Sequence, residues 1–444
     1  MSHKTLQELD GLVREHRGEI EIYSRISPEN GREEKRKFEE ELRGEIPVNV
    51  EDEVVAELSR GTISRNISLD EDIPVENLES DSMDGPDFSY VNRKEFPDRE
   101  DEFNRLEAEL EREDVPESIK TAYRDSIQEA RALSRIAANL GGSETVQDAS
   151  SDIYGTPSES TVEWAEGVLE TVDPTDDARY TEGRFTTGEM KDTLEKTLEL
   201  VGMDRWRVDT RQKGSVKVNA ANQEISVPEE RKFTENEMMR LLVHEIGSHT
   251  LRGANGYSQD FQIFGAGAGG YHQAGEGVAL FLEEATGLSN PNTMRKYAGR
   301  VKSVESVMNG EEFTETYLMN RELGFDHDQA WSMSLRAHRG GGFIKDHIYA
   351  EGLRQVDAYI REEEALENTS GIEEYAGMDG NLEDLLAGKI SVEQGYTLRD
   401  ELEAEYSPLE IVENIDELVP EGVDTSVIDV DPRLEEWYSG KSSL

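Results

Sequence analysis

The segment His-Glu-Ile-Gly-Ser-His, at residues 244–249, contains the side chains best suited to chemistry in this sequence. Imidazole nitrogens are common ligands of Zn²⁺, and a glutamate beside them can act as a general base. The histidines are five residues apart, so a regular α-helix at ~100° per residue would turn His249 about 140° away from His244. A π-type turn absorbs one extra residue, and Gly247 would ease that distortion. The pattern is therefore either accidental or a metal site on a widened helix.

A small sheet and a well-capped helix are expected to position these histidines. Alternating apolar residues predict three short strands just upstream, at residues 206–210, 215–220 and 223–228. They would form a meander, or a hairpin whose last strand stops at Pro228. Thr234 and Glu237 have the spacing of a capping box at the start of the helix that carries His244. A sheet followed directly by such a helix is typical of zinc peptidases, whose signature H-E-x-x-H is one residue shorter.

A catalytic zinc site needs a third protein ligand as well as one open position. The chain has no cysteine, so that ligand must be His, Asp or Glu. Glu276 follows a glycine-rich loop and opens a helical pattern, EGVALFLEEATG; taken alone, it is more simply explained as an N-terminal carboxylate favoured by the helix dipole. The glycine-rich run at 265–270 follows no strand and lacks G-K-[ST], so we predict a flexible lining or lid there rather than a phosphate loop.

Several blocks in this order and spacing resemble the QEGLA-motif proteins, a family that includes the microtubule-associated tyrosine carboxypeptidases. The resemblance covers roughly residues 97–420. The matching positions are His244, Glu245, His249, Leu251-Arg252, Asn255-Gly256, Gln262 and Glu276-Gly277-Val278-Ala279, with NLGGSETVQDASSDIYGTPS upstream and HRGGGFIKDHIYAEGL (338–353) downstream.

The resemblance implies a zinc metallopeptidase in which Glu245 is the general base. It also implies three Zn²⁺ ligands, which are His244, His249 and Glu276. Two positions depart from the family pattern. Gly275 stands where the family often has a second acidic residue, which bears on the hydrogen bonds around the metal. Val278 replaces a leucine, which is a conservative change in packing.

A carboxypeptidase must also hold the terminal carboxylate of its substrate, so that position restricts cleavage to the last residue. Arginine can grip a carboxylate with two parallel hydrogen bonds, whereas lysine acts as a point charge. The candidates for substrate binding are Arg252, Arg339, Lys345 and Tyr349. Tyr349 would steady the oxyanion or simply pack. The three cations could equally pair with the many surrounding carboxylates.

The charge balance is extreme and limits the classes of partner. The chain has 98 acidic and 47 basic residues, giving a net charge of −51 that is spread along its length. Such acidity is similar to that of haloarchaeal cytosolic proteins, which stay solvated where salt screens charge over a few ångströms. No basic stripe is present, which argues against nucleic-acid binding. No apolar run suggests a signal peptide or a membrane span, so we expect a cytoplasmic protein.

We predict a mainly helical α+β fold: a zincin-like catalytic core with a small antiparallel sheet beside the HExxxH helix. The predicted division is an acidic, partly flexible segment (1–96), a metallopeptidase domain (97–420) and an acidic tail (421–444). Within the domain, we expect a helical part, a sheet with the zinc-site core, and a second helical part, at residues 97–202, 203–365 and 366–420.

The predicted function is zinc-dependent hydrolysis of the C-terminal peptide bond of a peptide or protein. The resemblance points to a preference for a terminal aromatic residue such as Tyr. Two alternatives stay open: a metal-binding but non-catalytic regulatory or peptide-binding protein, and another zinc hydrolase such as an amidase. An intact Glu245 argues against the first, because a binding protein needs no base beside the metal. The sequence does not predict an oligomeric state.

Overall fold

A computed structural model describes residues 6–8, 10, 30–45, 85–90, 100–211, 214–342, 345–361 and 380–439. Most of the segment 1–96, predicted to be partly flexible, lies outside these residues. Within the described ranges, no helix is both long and apolar enough to cross a lipid bilayer.

The described chain is predominantly helical, as predicted. Helices before the sheet are α1 (Gly31–Glu45), α2 (Glu100–Leu110), α3 (Glu117–Ala138), α4 (Ser143–Tyr154), α5 (Glu159–Thr171), α6 (Ala178–Thr181) and α7 (Thr187–Leu200). Those around the site are α8 (Glu235–Leu241), a π-helix (Leu242–Thr250), α9 (Leu251–Ser258), α10 (Ile263–Ala266), α11 (Tyr271–Ala285), α12 (Pro291–Met308), α13 (Phe313–Glu322), α14 (His327–Gly342) and α15 (Ile348–Arg361). The last are α16 (Leu382–Leu386), α17 (Val392–Thr397), α18 (Leu409–Glu413), α19 (Ile415–Leu418) and α20 (Leu434–Ser439).

The strands form two small sheets. They are β1 (Phe185–Thr186), β2 (Arg207–Arg211), β3 (Lys217–Asn219), β4 (Glu224–Pro228) and β5 (Lys232–Phe233). β1 and β5 pair antiparallel, and the other sheet has the order β2-β4-β3. The antiparallel β3–β4 hairpin ending at Pro228 is confirmed, but β2 pairs with β4 in parallel, so the meander is wrong. β4 is the central strand, which leaves β3 at the edge.

The helix that leads into the site begins as predicted. Thr234 Oγ1 accepts a hydrogen bond from the Glu237 backbone N–H at 3.1 Å, and the Glu237 carboxylate accepts one from the Thr234 N–H at 3.0 Å. This reciprocal capping box satisfies two N–H groups that a helix N-terminus leaves without internal partners. Phe233 and Met238, which flank the box, are both fully buried. The start of α8 is therefore fixed by local sequence.

Helix α11 begins at Tyr271, five residues earlier than the apolar pattern indicated. Glu276 consequently lies in its second turn, so the interpretation of this residue as an N-terminal carboxylate is wrong. The neighbouring glycine has a packing role: a Cβ on Gly277 would lie 2.2 Å from the carbonyl oxygen of Gly352 on α15. A Cβ on Gly352 would lie 2.1 Å from the Gln273 oxygen. The backbones of the two helices are in direct contact. Glycine is needed at these positions although it has a low helix propensity.

The glycine-rich run at 265–270 is close-packed, which contradicts the predicted lid. A Cβ on Gly265 would lie 2.3 Å from the ring of Tyr257 on α9. A Cβ on Gly269 would lie 2.5 Å from the Asp125 backbone on α3. Gly265 and Gly269 allow chain segments to approach one another, and Gly267 and Gly270 adopt positive φ angles of 118° and 76°, which glycine favours.

The acidic C-terminal segment docks through its aromatic residues, at least as far as Ser439. Trp437 is 9% exposed, and its ring meets Phe281 of α11 at 5.4 Å. The guanidinium groups of Arg361 and Arg433 lie 4.8 and 4.6 Å from the centre of its ring. Trp437 belongs to the same hydrophobic cluster as residues of α7 and the π-helix. The division of the chain into three segments stays a prediction.

Candidate active site

The two histidines lie on a π-helix, which is the widening that their spacing predicted. At its end, the backbone N–H of Leu251 donates to the carbonyl of Ile246, five residues earlier. Bonding from residue i to i+5 returns the fifth residue to the same side of the helix. The rings of His244 and His249 are accordingly 5.0 Å apart between centroids, with an angle of 77° between their planes.

Glu276 of α11 completes a group of three possible metal ligands. Its Oε2 lies 3.9 Å from Nε2 of His244 and 3.9 Å from Nε2 of His249. One ligand atom from each residue lies within 4.8 Å of the others. Ligands placed about 2.0–2.1 Å from a tetrahedral Zn²⁺ are about 3.3–3.4 Å apart. The set therefore fits such an ion after a small contraction.

A second carboxylate, Glu283, orients the first histidine. Its Oε1 is 2.6 Å from Nδ1 of His244 and accepts a hydrogen bond from Nη1 of Arg240 at 2.6 Å. With the proton on Nδ1, the Nε2 lone pair faces Glu276. This histidine–carboxylate pairing is the usual support of a metal-binding imidazole. Glu283 was missed from the sequence, although it follows Glu276 by seven residues and so lies within about 20° of it around the helix.

Burial sets the protonation of the remaining groups. It lowers the pKa of His249 well below the ordinary value, so the imidazole is neutral and able to bind a metal. For His244, burial acts in the same direction, but the hydrogen bond and charge of Glu283 outweigh it and raise the pKa. Burial also raises the pKa of Glu245 to about 7, against the opposing influence of His244. A carboxylate with that pKa is suited to accept and return a proton near neutral pH.

The two histidines, Glu245 and Glu276 line a cavity of about 540 Å³. Cations outnumber carboxylates in its lining, which is the opposite of the balance in the whole chain. Three glutamates line it: Glu237, Glu245 and Glu276. The cations that line it are Lys217, Arg231, Arg240, Arg252, Lys296, Arg300, Lys345 and Lys389. In a chain with twice as many acidic as basic residues, this concentration of cations indicates a preference for an anionic ligand.

Three of the four predicted substrate-binding residues line the cavity together with Glu276: Arg252, Lys345 and Tyr349. The charge of Glu276, followed by burial, raises the pKa of Tyr349, which keeps the phenol protonated. Burial lowers the pKa of Lys345 to about 8. Arg339 is buried but does not line this cavity.

Arg252 lines the cavity, but its guanidinium mainly holds a loop in place. Nε donates to the carbonyls of Leu385 and Gly388 at 2.9 and 3.1 Å, and Nη2 donates to Ile390 at 2.6 Å. A Cβ on Gly275 would lie 2.9 Å from Nη1 of Arg252. The departure from the family pattern at position 275 thus leaves room for this buried arginine.

The cavity lining also contains a cluster of side chains that the sequence did not reveal as a group. The rings of Tyr297 and Tyr349 stack 4.6 Å apart at 9°. The guanidinium carbon of Arg300 lies 5.4 and 5.1 Å from their centroids. Behind it, Asp346 accepts two hydrogen bonds from Arg336, from Nε and, at 2.7 Å, from Nη2. No single short spacing links all of these residues, because α12, α14, α15 and the segment before α15 each supply a part.

The edge strand β3 also borders the cavity. Ser215, Val216, Lys217 and Val218 line it, so one side of the cavity is backbone in extended conformation. Within the described residues, β3 pairs only with β4. Its other edge is available to an extended chain lying in the cavity.

Comparison with known proteins agrees with this geometry. The model of the microtubule-associated tyrosine carboxypeptidase family matches residues 76–407, a range that contains the two histidines, Glu245, Glu276 and the tyrosine cluster. A search among curated proteins finds no significant match. The family match covers most of the chain. The chain therefore belongs to the microtubule-associated tyrosine carboxypeptidase family.

Proposed function

We propose that the protein is a zinc-dependent carboxypeptidase that hydrolyses the last peptide bond of an acidic peptide or protein C-terminus. The observation that carries this proposal is the grouping of His244, His249 and Glu276 with Glu245 at one end of a cation-lined cavity. A bound Zn²⁺ would supply Lewis-acid polarisation of a carbonyl and of a water molecule. Neutral imidazoles and a carboxylate are ligands that Zn²⁺ accepts in catalytic sites.

Glu245 is the proton carrier in this proposal. It lies between the two histidines in sequence, is 8% exposed, and lines the same cavity. Peptide hydrolysis requires removal of a proton from the attacking water and its delivery to the leaving amine. With a pKa raised to about 7 by burial, one carboxylate can perform both transfers.

Tyr349 supports the negative charge that develops on the carbonyl oxygen. Its raised pKa keeps the hydroxyl proton in place, and it stands in the cavity close enough to Glu276 to be influenced mainly by that charge. A fixed O–H donor in a water-poor site stabilises an oxyanion at little cost in reorganisation. This supports the first of the two roles that the sequence left open for Tyr349, that of steadying the oxyanion.

Charge defines the proposed substrate. The terminal carboxylate and acidic side chains upstream of it would meet the lining cations, among which Lys296 is exposed and Lys217 is partly exposed. The extended backbone of the substrate would run along the edge of β3. The family name points to tyrosine as the residue removed, and an aromatic wall of Tyr297 and Tyr349 is consistent with it.

The test combines metal analysis with product analysis. Zinc content of the purified protein is measured by elemental analysis, and acidic peptides with varied last residues are incubated with it at high salt. We expect about one zinc per chain and loss of a single C-terminal residue, detected by mass spectrometry. Zinc without truncation would favour a non-catalytic binding protein, and cleavage of small amides alone would favour an amidase. A protein that binds no zinc would contradict the proposal.

A further inference from the structure

Arg300, on α12, differs from the other arginines of the cavity because its guanidinium N–H groups are not engaged in hydrogen bonds within the described residues. Its side chain is 14% exposed. Its nearest carboxylate oxygen is Oδ2 of Asp346, 3.8 Å from Nε, beyond hydrogen-bonding distance. A buried guanidinium without acceptors is costly, and an anionic ligand would remove that cost.

The guanidinium is nevertheless held firmly in place. It lies against the stacked rings of Tyr297 and Tyr349, an arrangement that attracts a cation to the ring faces. Asp346 supplies the counter-charge from behind, while its own oxygens are occupied by two hydrogen bonds from Arg336. Arg300 is therefore oriented by charge and by rings, without using its own donors.

We propose that Arg300 binds the terminal carboxylate of the substrate, and that Asp346 is the positioning residue that holds Arg300 for this purpose. The inference rests on the proposed carboxypeptidase function and adds to it the group that restricts cleavage to the last residue. Two parallel hydrogen bonds from the guanidinium match the two carboxylate oxygens.

Arg300 and Glu276 line the same cavity, and the charge of Arg300 is one of those that oppose the burial-driven rise in the pKa of Glu276. Arg300 also contacts the ring of Tyr349, the proposed oxyanion donor. A carboxylate bound at Arg300 would thus share the cavity with the metal group.

The alternative cations are less suited to this task. Arg252 already donates three hydrogen bonds to backbone carbonyls, and Arg339 lies outside the cavity lining. Lys345 lines the cavity, but its pKa of about 8 means that its ammonium group loses its charge just above neutral pH. Lys296 is exposed, so water competes for its ammonium group.

The experiment compares two substrates on zinc-loaded protein: dansyl-Glu-Tyr with a free C-terminal acid and the same peptide with a C-terminal amide. The wild type is expected to prefer the acid. Arg300→Gln should lower the acid-to-amide ratio of kcat/KM by about 10- to 100-fold, chiefly through KM, since hydrogen bonds to a charged group contribute that much. Arg300→Lys should restore part of the ratio, and Asp346→Asn should lower it less than Arg300→Gln does.

The outcomes separate this inference from the proposed function. The exposed Arg205→Gln, outside this cavity, serves as the matched control and should keep the wild-type ratio. If the wild type prefers the acid and Arg300→Gln keeps that preference, the role of Arg300 is wrong while the carboxypeptidase stands. If the wild type removes no terminal residue, the proposed function itself fails.

A second measurement covers the case in which the Arg300 variants do not fold, judged by circular dichroism. It is a crystal structure of the zinc-loaded wild type with a phosphinic peptide that ends in tyrosine. We expect its carboxylate within hydrogen-bonding distance of the Arg300 guanidinium. A carboxylate held by Arg252 or Lys345, with Arg300 still without a partner, would overturn the inference.

Discussion

The two walls of the cavity are built in different ways. The first, which we call the metal wall, consists of the π-helix and α11 and carries the possible ligands together with Glu245 and Glu283. The second, the tyrosine wall, consists of α12 and residues 345–361 and carries the stacked tyrosines, Arg300 and Asp346. One wall presents carboxylates and imidazoles, and the other presents cations and phenols.

This difference indicates a division of tasks. Changes in the metal wall should affect metal binding and kcat, because in the proposed function its groups would bind the ion and transfer the proton. Apart from Tyr349, the proposed oxyanion donor, changes in the tyrosine wall should affect KM and the choice of substrate, because its cations would meet charges that persist through the reaction. The following predictions test that comparison, starting with the largest effect.

Glu245→Gln in the metal wall should lower kcat by about 10²- to 10⁴-fold, the usual contribution of a general base. Zinc content should stay at the wild-type level, since Glu245 is not among the three ligand residues. Steady-state kinetics and elemental analysis on the same preparation measure both. A variant that loses its zinc would instead make Glu245 part of the metal site.

Asp346→Asn in the tyrosine wall should reduce the free energy of unfolding by about 1.5–3 kcal/mol, because the buried Asp346 carboxylate loses its charge-assisted hydrogen bonds from Arg336, whose side chain is 28% exposed. Burial would raise the pKa of Asp346, but the arginines, with Arg336 foremost, hold it far below the usual range. The stabilisation is therefore present above about pH 4, the unfolded value, and is lost as the pH falls further. Urea unfolding of both proteins at several pH values checks this; a stability difference that grows on acidification would contradict it.

Glu283→Gln should weaken zinc binding by about 10- to 100-fold, the usual effect of removing the carboxylate behind a metal-binding histidine. Competition with a chelator measures the affinity. Glu284→Gln is the matched control, since Glu284 is the exposed neighbour on the same helix and should leave the affinity unchanged. Equal losses in both variants would argue against a specific role for Glu283.

Gly247→Ala should change the free energy of unfolding by no more than about 1 kcal/mol, the range of the glycine–alanine difference in helices. A Cβ there would meet Pro408, Leu242 and Leu282 at 3.5, 3.6 and 3.7 Å, ordinary contact distances. Gly277→Ala should be far more damaging, because its Cβ would approach a backbone oxygen at 2.2 Å. Thermal unfolding of the two variants compares them. A large loss in Gly247→Ala would show that the π-helix itself requires glycine.

The smallest effect is expected from titrating Lys345. Its pKa of about 8 means that it is charged below that pH and neutral above it. If Arg300 holds the substrate carboxylate, KM for a free-acid peptide should change by less than about threefold between pH 7 and 9, because arginine keeps its charge throughout. A rise in KM of about tenfold with a midpoint near pH 8 would show that Lys345, and not Arg300, binds the substrate carboxylate.

Much of the metal wall could be predicted from the sequence. The five-residue spacing of the histidines predicted a widened helix if both bind one metal, and the capping box at Thr234 located the start of α8, which leads into that helix. Glu276 as a ligand came from the resemblance to a family, since its position alone favoured a simpler explanation. The start of α11 was misplaced because glycines near Glu276 suggested a loop, whereas they pack two helices closely.

The tyrosine wall could be predicted from the sequence only in part. Tyr349 and Lys345 were found because they lie in a family block, but Arg300 and Tyr297 stand on another helix without a distinguishing pattern. Arg252 and Arg339 carry the same charge as Arg300, and only their surroundings separate them: one is bound to carbonyls, and the other lies outside the cavity. The sequence shows that all three residues are arginines. Whether the hydrogen-bond donors of each arginine are already occupied depends on the tertiary structure.

Local sequence is enough to predict the chemistry proposed for this protein: its possible ligands, its candidate base, the irregular helix and the family. The histidine spacing and the candidate base are features of one helix, where backbone geometry fixes which side chains share a face, whereas Glu276 and the family came from the order of several motifs. How the cavity would recognise a ligand depends on the tertiary structure. Eight cations from distant segments converge there in an acidic protein, and which of them is free depends on contacts between elements far apart in the chain.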